Sequence, residues 1–103
     1  MGKNRDRLDI MADIVKAAVP RSNKTNIMFS ANLSFKLLEK YLGLVMNAGL
    51  VQAHDSEYLT TELGLEFLAR YANLQSRYVR AQKKLETLNF EYERLSSFAR
   101  RRE

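Results

Sequence analysis

The sequence predicts a mainly α fold: a small helical head with one hairpin, followed by a long C-terminal helix paired with a second copy. Three observations carry that prediction. From Phe67 to Ala99 an apolar residue recurs at ten positions whose spacing alternates four and three: Phe67, Tyr71, Leu74, Tyr78, Ala81, Leu85, Leu88, Tyr92, Leu95 and Ala99. That is the period of a left-handed coiled coil. Before it lie three stretches of helical periodicity, punctuated by Pro20-Arg21-Ser22-Asn23 and by Ala31-Asn32-Leu33. Between the third stretch and the long repeat, two short alternating runs flank the polar group His54-Asp55-Ser56.

The first helix is predicted over Arg5 to Val19, with Leu8, Met11, Ile14, Val15 and Ala18 on one face and Asp6, Asp9, Asp13 and Lys16 on the other. Pro20 cannot continue it, and Arg21-Ser22-Asn23 reads as turn chemistry. A short second helix follows over Lys24 to Ser30, turning Ile27 and Met28 inward. After the three-residue connection, Ser34 caps a third helix running to about Ala48 and closed by Gly49. Its expected apolar side is Leu37, Tyr41, Leu42, Val45 and Met46. Leu50-Ala53 and Glu57-Thr60 form a hairpin around the polar turn. Thr60 or Thr61 then caps the long helix, with Glu62 against the positive end of its dipole. Two helices joined by a three-residue turn are a helix-turn-helix, and a hairpin directly after the second of them is a wing. The expected organisation is a winged helix-turn-helix domain at 1–60 and a dimerisation helix at 61–103.

Composition narrows the function. The chain has 103 residues, no cysteine and one histidine, so disulfides and thiolate metal sites are excluded and a histidine-based metal centre has too few ligands. There are no paired carboxylates in an expected cleft, no Gly-rich phosphate loop and no metal-ligand spacing. An enzyme, a cofactor and a small-molecule substrate are therefore not expected. No apolar run approaches the length of a membrane span and no export signal is evident, which points to a cytoplasmic protein with no membrane partner. Net charge is +5. Residues 1–60 hold eight Lys/Arg against six Asp/Glu, and residues 61–103 nine against six, so the excess is spread along the chain and favours a polyanionic partner.

A resemblance enters with particular strings: Thr25-Asn26-Ile27-Met28-Phe29-Ser30-Ala31-Asn32-Leu33-Ser34, Lys40-Tyr41-Leu42, Gly49-Leu50-Val51, Tyr58-Leu59-Thr60, Gly64 and Phe67-Leu68. In this order and spacing the chain resembles archaeal winged-helix DNA-binding proteins, most closely the small basic ten-kilodalton chromatin-like proteins of Sulfolobus. The resemblance implies a nucleoid-associated homodimer, architectural or regulatory, with a winged head on each end of an antiparallel two-stranded coil. Gly43, inside the third helix, departs from good helix chemistry by about 1 kcal/mol relative to alanine.

Packing argues the same orientation independently. A parallel pair would stack Tyr71, Tyr78 and Tyr92 on their own copies and leave hollow layers at Ala81 and Ala99. An antiparallel pair centred near Lys83 sets Tyr71 against the partner's Leu95, Tyr78 against the partner's Leu88 and Leu85 against the partner's Ala81. Tyr92 then meets Leu74 and Ala99 meets Phe67, so layer volumes even out. With attachment at Phe67, the heads stand roughly 50 Å apart along the coil, at about 1.5 Å per residue. That separation favours bridging or long-range bending of DNA over recognition of a compact operator.

The third helix is the expected major-groove reader, with Ser34, Phe35, Lys36 and Lys40 in its first turns. Arg21, Lys24, Thr25 and Asn26 open the second helix, where amides and basic side chains hold phosphate. The competing reading of both groups is a solvated face and ordinary capping. Glu39 either accepts from a cytosine or pairs with a nearby lysine. The wing is poorly equipped: Asp55 repels phosphate and His54 is its one donor of interest. Arg100-Arg101-Arg102 would lie near the partner's head. Double-stranded DNA is thus the expected partner, and the alternative is a protein-interaction scaffold whose winged head does not bind DNA.

Overall fold

The structure, a computed structural model, describes residues 4–100. Its elements are α1 (Arg7–Ala17), β1 (Arg21–Asn23), α2 (Lys24–Ser30), α3 (Phe35–Asn47), β2 (Val51–His54), β3 (Glu57–Thr60) and α4 (Glu62–Arg100). The expected fold class, a mainly α chain with a winged helix-turn-helix head and a long C-terminal helix, is the observed one. Arg101 and Arg102 of the expected basic tail lie outside the described residues.

Local chemistry sets the helix starts. Asp6 caps α1 through a reciprocal box, its Oδ1 accepting from the Asp9 amide at 2.9 Å while Asp9 Oδ2 accepts from the Asp6 amide at 3.1 Å. Asn23 caps α2 by accepting from the Asn26 amide at 2.8 Å, and Ser34 caps α3 by accepting from the Leu37 amide at 3.2 Å. Between those caps, Asn32 takes the left-handed turn at φ 53, which asparagine tolerates better than most residues. Gly49 ends α3 at φ 80, as expected of a helix-terminating glycine. Of the two threonines, Thr61 is the α4 cap, accepting from the Gly64 amide at 3.0 Å. Thr60 instead donates to the Val15 carbonyl at 2.7 Å and ties β3 to α1.

The core of the head joins Ile10, Ile14, Val15 and Ala18 of the α1 segment to Ile27, Leu38, Leu42, Val45, Leu50 and Val51. Two expectations about its faces are corrected. Leu8 is 40% exposed, and Ile10 and Ala12 are buried in its place. On α3 the buried stripe is Leu38, Leu42 and Val45, whereas Leu37 and Met46 are 41% and 36% exposed. Adjacent leucines at 37 and 38 each start a valid helical stripe, and packing against α1 selects the second.

The segment expected as a turn, Arg21-Ser22-Asn23, is a strand. β1 pairs antiparallel with β3 in the register Arg21↔Leu59, Ser22↔Tyr58, Asn23↔Glu57, giving the sheet order β1-β3-β2. The hairpin pairs His54 with Glu57 at its tip, with Asp55 in the left-handed region at φ 57. β3 would otherwise present an unpaired edge, and three residues of β1 satisfy its amides and carbonyls.

The first compact unit ends at Tyr71, not at the end of the hairpin. Gly64 is the buried residue of α4, and a Cβ there would collide with the Leu50 carbonyl and stand 2.7 Å from Thr60 Cγ2. Phe67 and Leu68 pack against the core, the Phe67 and Tyr71 rings stack at 6.4 Å, and the Tyr71 hydroxyl donates to the Asp9 carboxylate. The first two seam positions therefore serve the head of their own chain. In the second unit, from Ala72, no described residue is buried.

Candidate nucleic-acid interface

The helix-turn-helix is held by a residue that sequence reasoning passed over. The Arg5 guanidinium donates to the Ala31 carbonyl at 2.6 Å, the Asn32 carbonyl at 2.7 Å and the Asp13 carboxylate at 2.9 Å. It thereby satisfies carbonyls at the turn and fastens it to α1. Its partners lie up to 27 residues away, so no local pattern announces it.

With Leu38, Leu42 and Val45 facing the core, the opposite side of α3 carries Lys36, Lys40, Gly43 and Asn47, spaced four, three and four residues apart and all exposed. Phe35 flanks this row at 60% exposure. The Lys24 ammonium from α2 lies 5.2 Å from the centre of the Phe35 ring, and Lys40 lies 5.4 Å from that of Tyr41. Such contacts orient the ammonium groups while leaving them accessible. Lys24 also ion-pairs with Glu39, and that hydrogen bond holds its pKa above the usual lysine value. Glu39 thus pairs with a lysine, one from the preceding helix.

The structure brings Lys24, Phe35, Lys36 and Lys40 to α3 and its flank. Other expected residues are placed differently. Arg21 stands on β1 beside Glu57, 3.4 Å away, and belongs to the sheet. Thr25 and Asn26 are exposed on the first turn of α2, but the Asn26 amide is occupied by the Asn23 cap. The Ser34 hydroxyl is occupied as the α3 cap. On the wing, His54 lies 3.4 Å from Asp55, and both are exposed. Asn47 was not anticipated as part of the row. Its spacing from Lys36 and Lys40 was available in the sequence, but only the correct α3 phase reveals it.

Comparison with known proteins places this arrangement. MJ0290 of Methanocaldococcus jannaschii, an uncharacterized protein, is 33% identical over 61 residues, which are 58% of this chain and 29% of that protein. The chain therefore spans less than a third of that relative's length. The crystal structure of Sso10a-2, a DNA-binding protein from Sulfolobus solfataricus, superposes with a TM-score of 0.66 at 21% identity, covering 82% of this chain and 96% of that one. That is a likeness of fold, in line with the resemblance read from the sequence. A family model for the winged helix-turn-helix matches residues 4–78, from the α1 cap into α4. The chain belongs to the winged helix-turn-helix family.

Proposed function

We propose that the protein binds duplex DNA as a homodimer, as an architectural or regulatory factor whose work is binding and not catalysis. The observation that carries this reading is the outward row of α3, where Lys36 and Lys40 stand together with Lys24 and Phe35 at their flank. A helix so exposed, in a head of this family, matches the width of the major groove. The likeness in fold to a protein described as DNA-binding supports it. Lys36 and Lys40 contact phosphates or base edges from α3; Lys24, Thr25 and Asn26 approach the backbone from α2, and Arg21 from β1.

The dimer rests on the second unit. Leu74, Tyr78, Leu85, Leu88, Tyr92 and Leu95 are 38–69% exposed in the single chain, too much aligned apolar surface for a solvated helix. We assign Leu74 to Ala99 as the antiparallel seam, with Phe67 and Tyr71 shared between the head and its ends. Counted from a centre at Lys83, Tyr71 of the two chains lie 24 residues apart along the coil, about 36 Å at 1.5 Å per residue. At that separation the heads match half-sites one helical turn apart, about 34–36 Å, so a compact palindrome stands beside bridging or bending as a mode of binding, and footprinting on a long duplex decides between them.

Binding to unrelated duplexes across a salt series tests the reading. We expect affinity for every duplex, falling steeply with salt, and a salt slope reduced by about two when Lys36 and Lys40 are both replaced by alanine. An unchanged slope would take α3 out of the interface. One observation favours a scaffold reading: acidic partners already hold Lys24 and Arg21. Absence of binding to any duplex at low salt would establish that reading instead.

A further inference from the structure

Gly43 lies in the middle of the outward row of α3, between Lys40 and Asn47. Its conformation is ordinary helix, inside α3, since among the described residues the one glycine with positive φ is Gly49. Packing does not explain it either: a Cβ built at Gly43 meets nothing within 4 Å. Gly64 is the contrast, because there a Cβ would strike the Leu50 carbonyl. A glycine in a helix interior is less favourable than alanine through backbone entropy. At Gly43 nothing within the head offsets that penalty, so the reason for the missing side chain lies outside the head.

Within the row Lys36-Lys40-Gly43-Asn47, the side chains on either side of position 43 stand out from the helix, and Gly43 leaves a bare notch between them. A surface approaching α3 there reaches the helix backbone more closely than at any neighbouring position of the row. The flanking charges select the visitor. Lys36 and Lys40 precede the notch, their ammonium groups are not engaged by carboxylates among the described residues, and the Asn47 amide follows it.

From this geometry we infer that Gly43 is a positioning residue for duplex DNA: its bare backbone sets how deeply α3 enters the groove, so that Lys36, Lys40 and Asn47 reach their contacts. The inference rests on the reading of α3 as the duplex-facing helix. A methyl group at position 43 holds the row away from the duplex and lengthens every contact along it. The same methyl group favours the helix and fills empty space, so folding stability and binding move in opposite directions.

The experiment compares the full-length wild type with Gly43→Ala and Gly43→Leu, using thermal unfolding, sedimentation and titration with a mixed-sequence duplex. Gly43→Ala is expected to unfold at a higher temperature, to remain a dimer, and to bind DNA roughly ten-fold more weakly, as when one methyl group is forced into a closed contact. Gly43→Leu is expected to retain the fold and lose nearly all binding that Lys36 and Lys40 support. Wild-type affinity in both variants would overturn the inference while leaving the DNA-binding reading intact. Loss of the dimer with duplex affinity per head retained would overturn it in favour of a protein-packing seat. A wild type that binds no duplex would instead defeat the parent reading.

Discussion

The head and the tail are built from the same apolar residue types and leave them in opposite environments. In the head Ile14, Val15, Ile27, Leu38 and Val45 are fully buried. In the tail Leu85, Leu88 and Leu95 are 56%, 55% and 69% exposed. The head encloses its core because three helices and a sheet converge on it from different directions. A single helix has only one direction, so its stripe waits for another helix. The head's stability is therefore an intrachain property, whereas in the proposed dimer the tail's stability depends on protein concentration.

The largest expected effect attacks the tail alone. Leu85→Asp places a charge in a central layer of the proposed coil, twice per dimer, and breaking such a layer costs about 3–5 kcal/mol. Sedimentation should report monomers at micromolar concentration, and circular dichroism should lose the helicity of residues beyond Tyr71 while the head stays folded. A variant that still sediments as a stable dimer would move the interface away from the seam.

A second substitution sharpens the contrast from the head's side. Leu38→Ala removes a fully buried side chain and should cost about 2–5 kcal/mol. Its neighbour Leu37, 41% exposed, should cost under about 1 kcal/mol when replaced by alanine. Both changes should appear in denaturant unfolding of the head and be independent of protein concentration. Equal costs at the two positions would mean that the α3 phase is shared between them.

The smallest effect lies on the surface of the head, at Lys24 and Glu39. Because the ion pair raises the lysine pKa in the folded state, its contribution is whole below the ordinary lysine value and fades as pH climbs through the raised one. Unfolding followed from neutral to strongly alkaline pH should therefore lose a small increment only at the alkaline end, and Glu39→Gln should remove that increment. The same variant frees Lys24 for phosphate and should modestly strengthen duplex binding. Weaker binding would assign Glu39 a contact of its own.

Much of this molecule was determined by sequence alone, where the physics is local or strictly periodic. The α2 limits, the Ser34 cap, the Gly49 stop and the hairpin follow from backbone chemistry within a few residues. The long helix and its stripe follow from an unbroken heptad repeat. Tertiary structure decided the rest, wherever two local solutions were equally good or the partner was distant. Leu38 wins over Leu37 because α1 packs there. Arg21-Ser22-Asn23 becomes a strand because β3 offers an edge, and three polar residues carry no signal of their own. Arg5 finds carbonyls at Ala31 and Asn32 that exist as acceptors only once the turn is made. Phe67 and Tyr71 fit the heptad as well as any later residue, yet the core and Asp9 claim them first. The outward row of α3, with Gly43 in its middle, became legible through the same choice, since a helix shows which side faces outward only when its neighbours have taken the other.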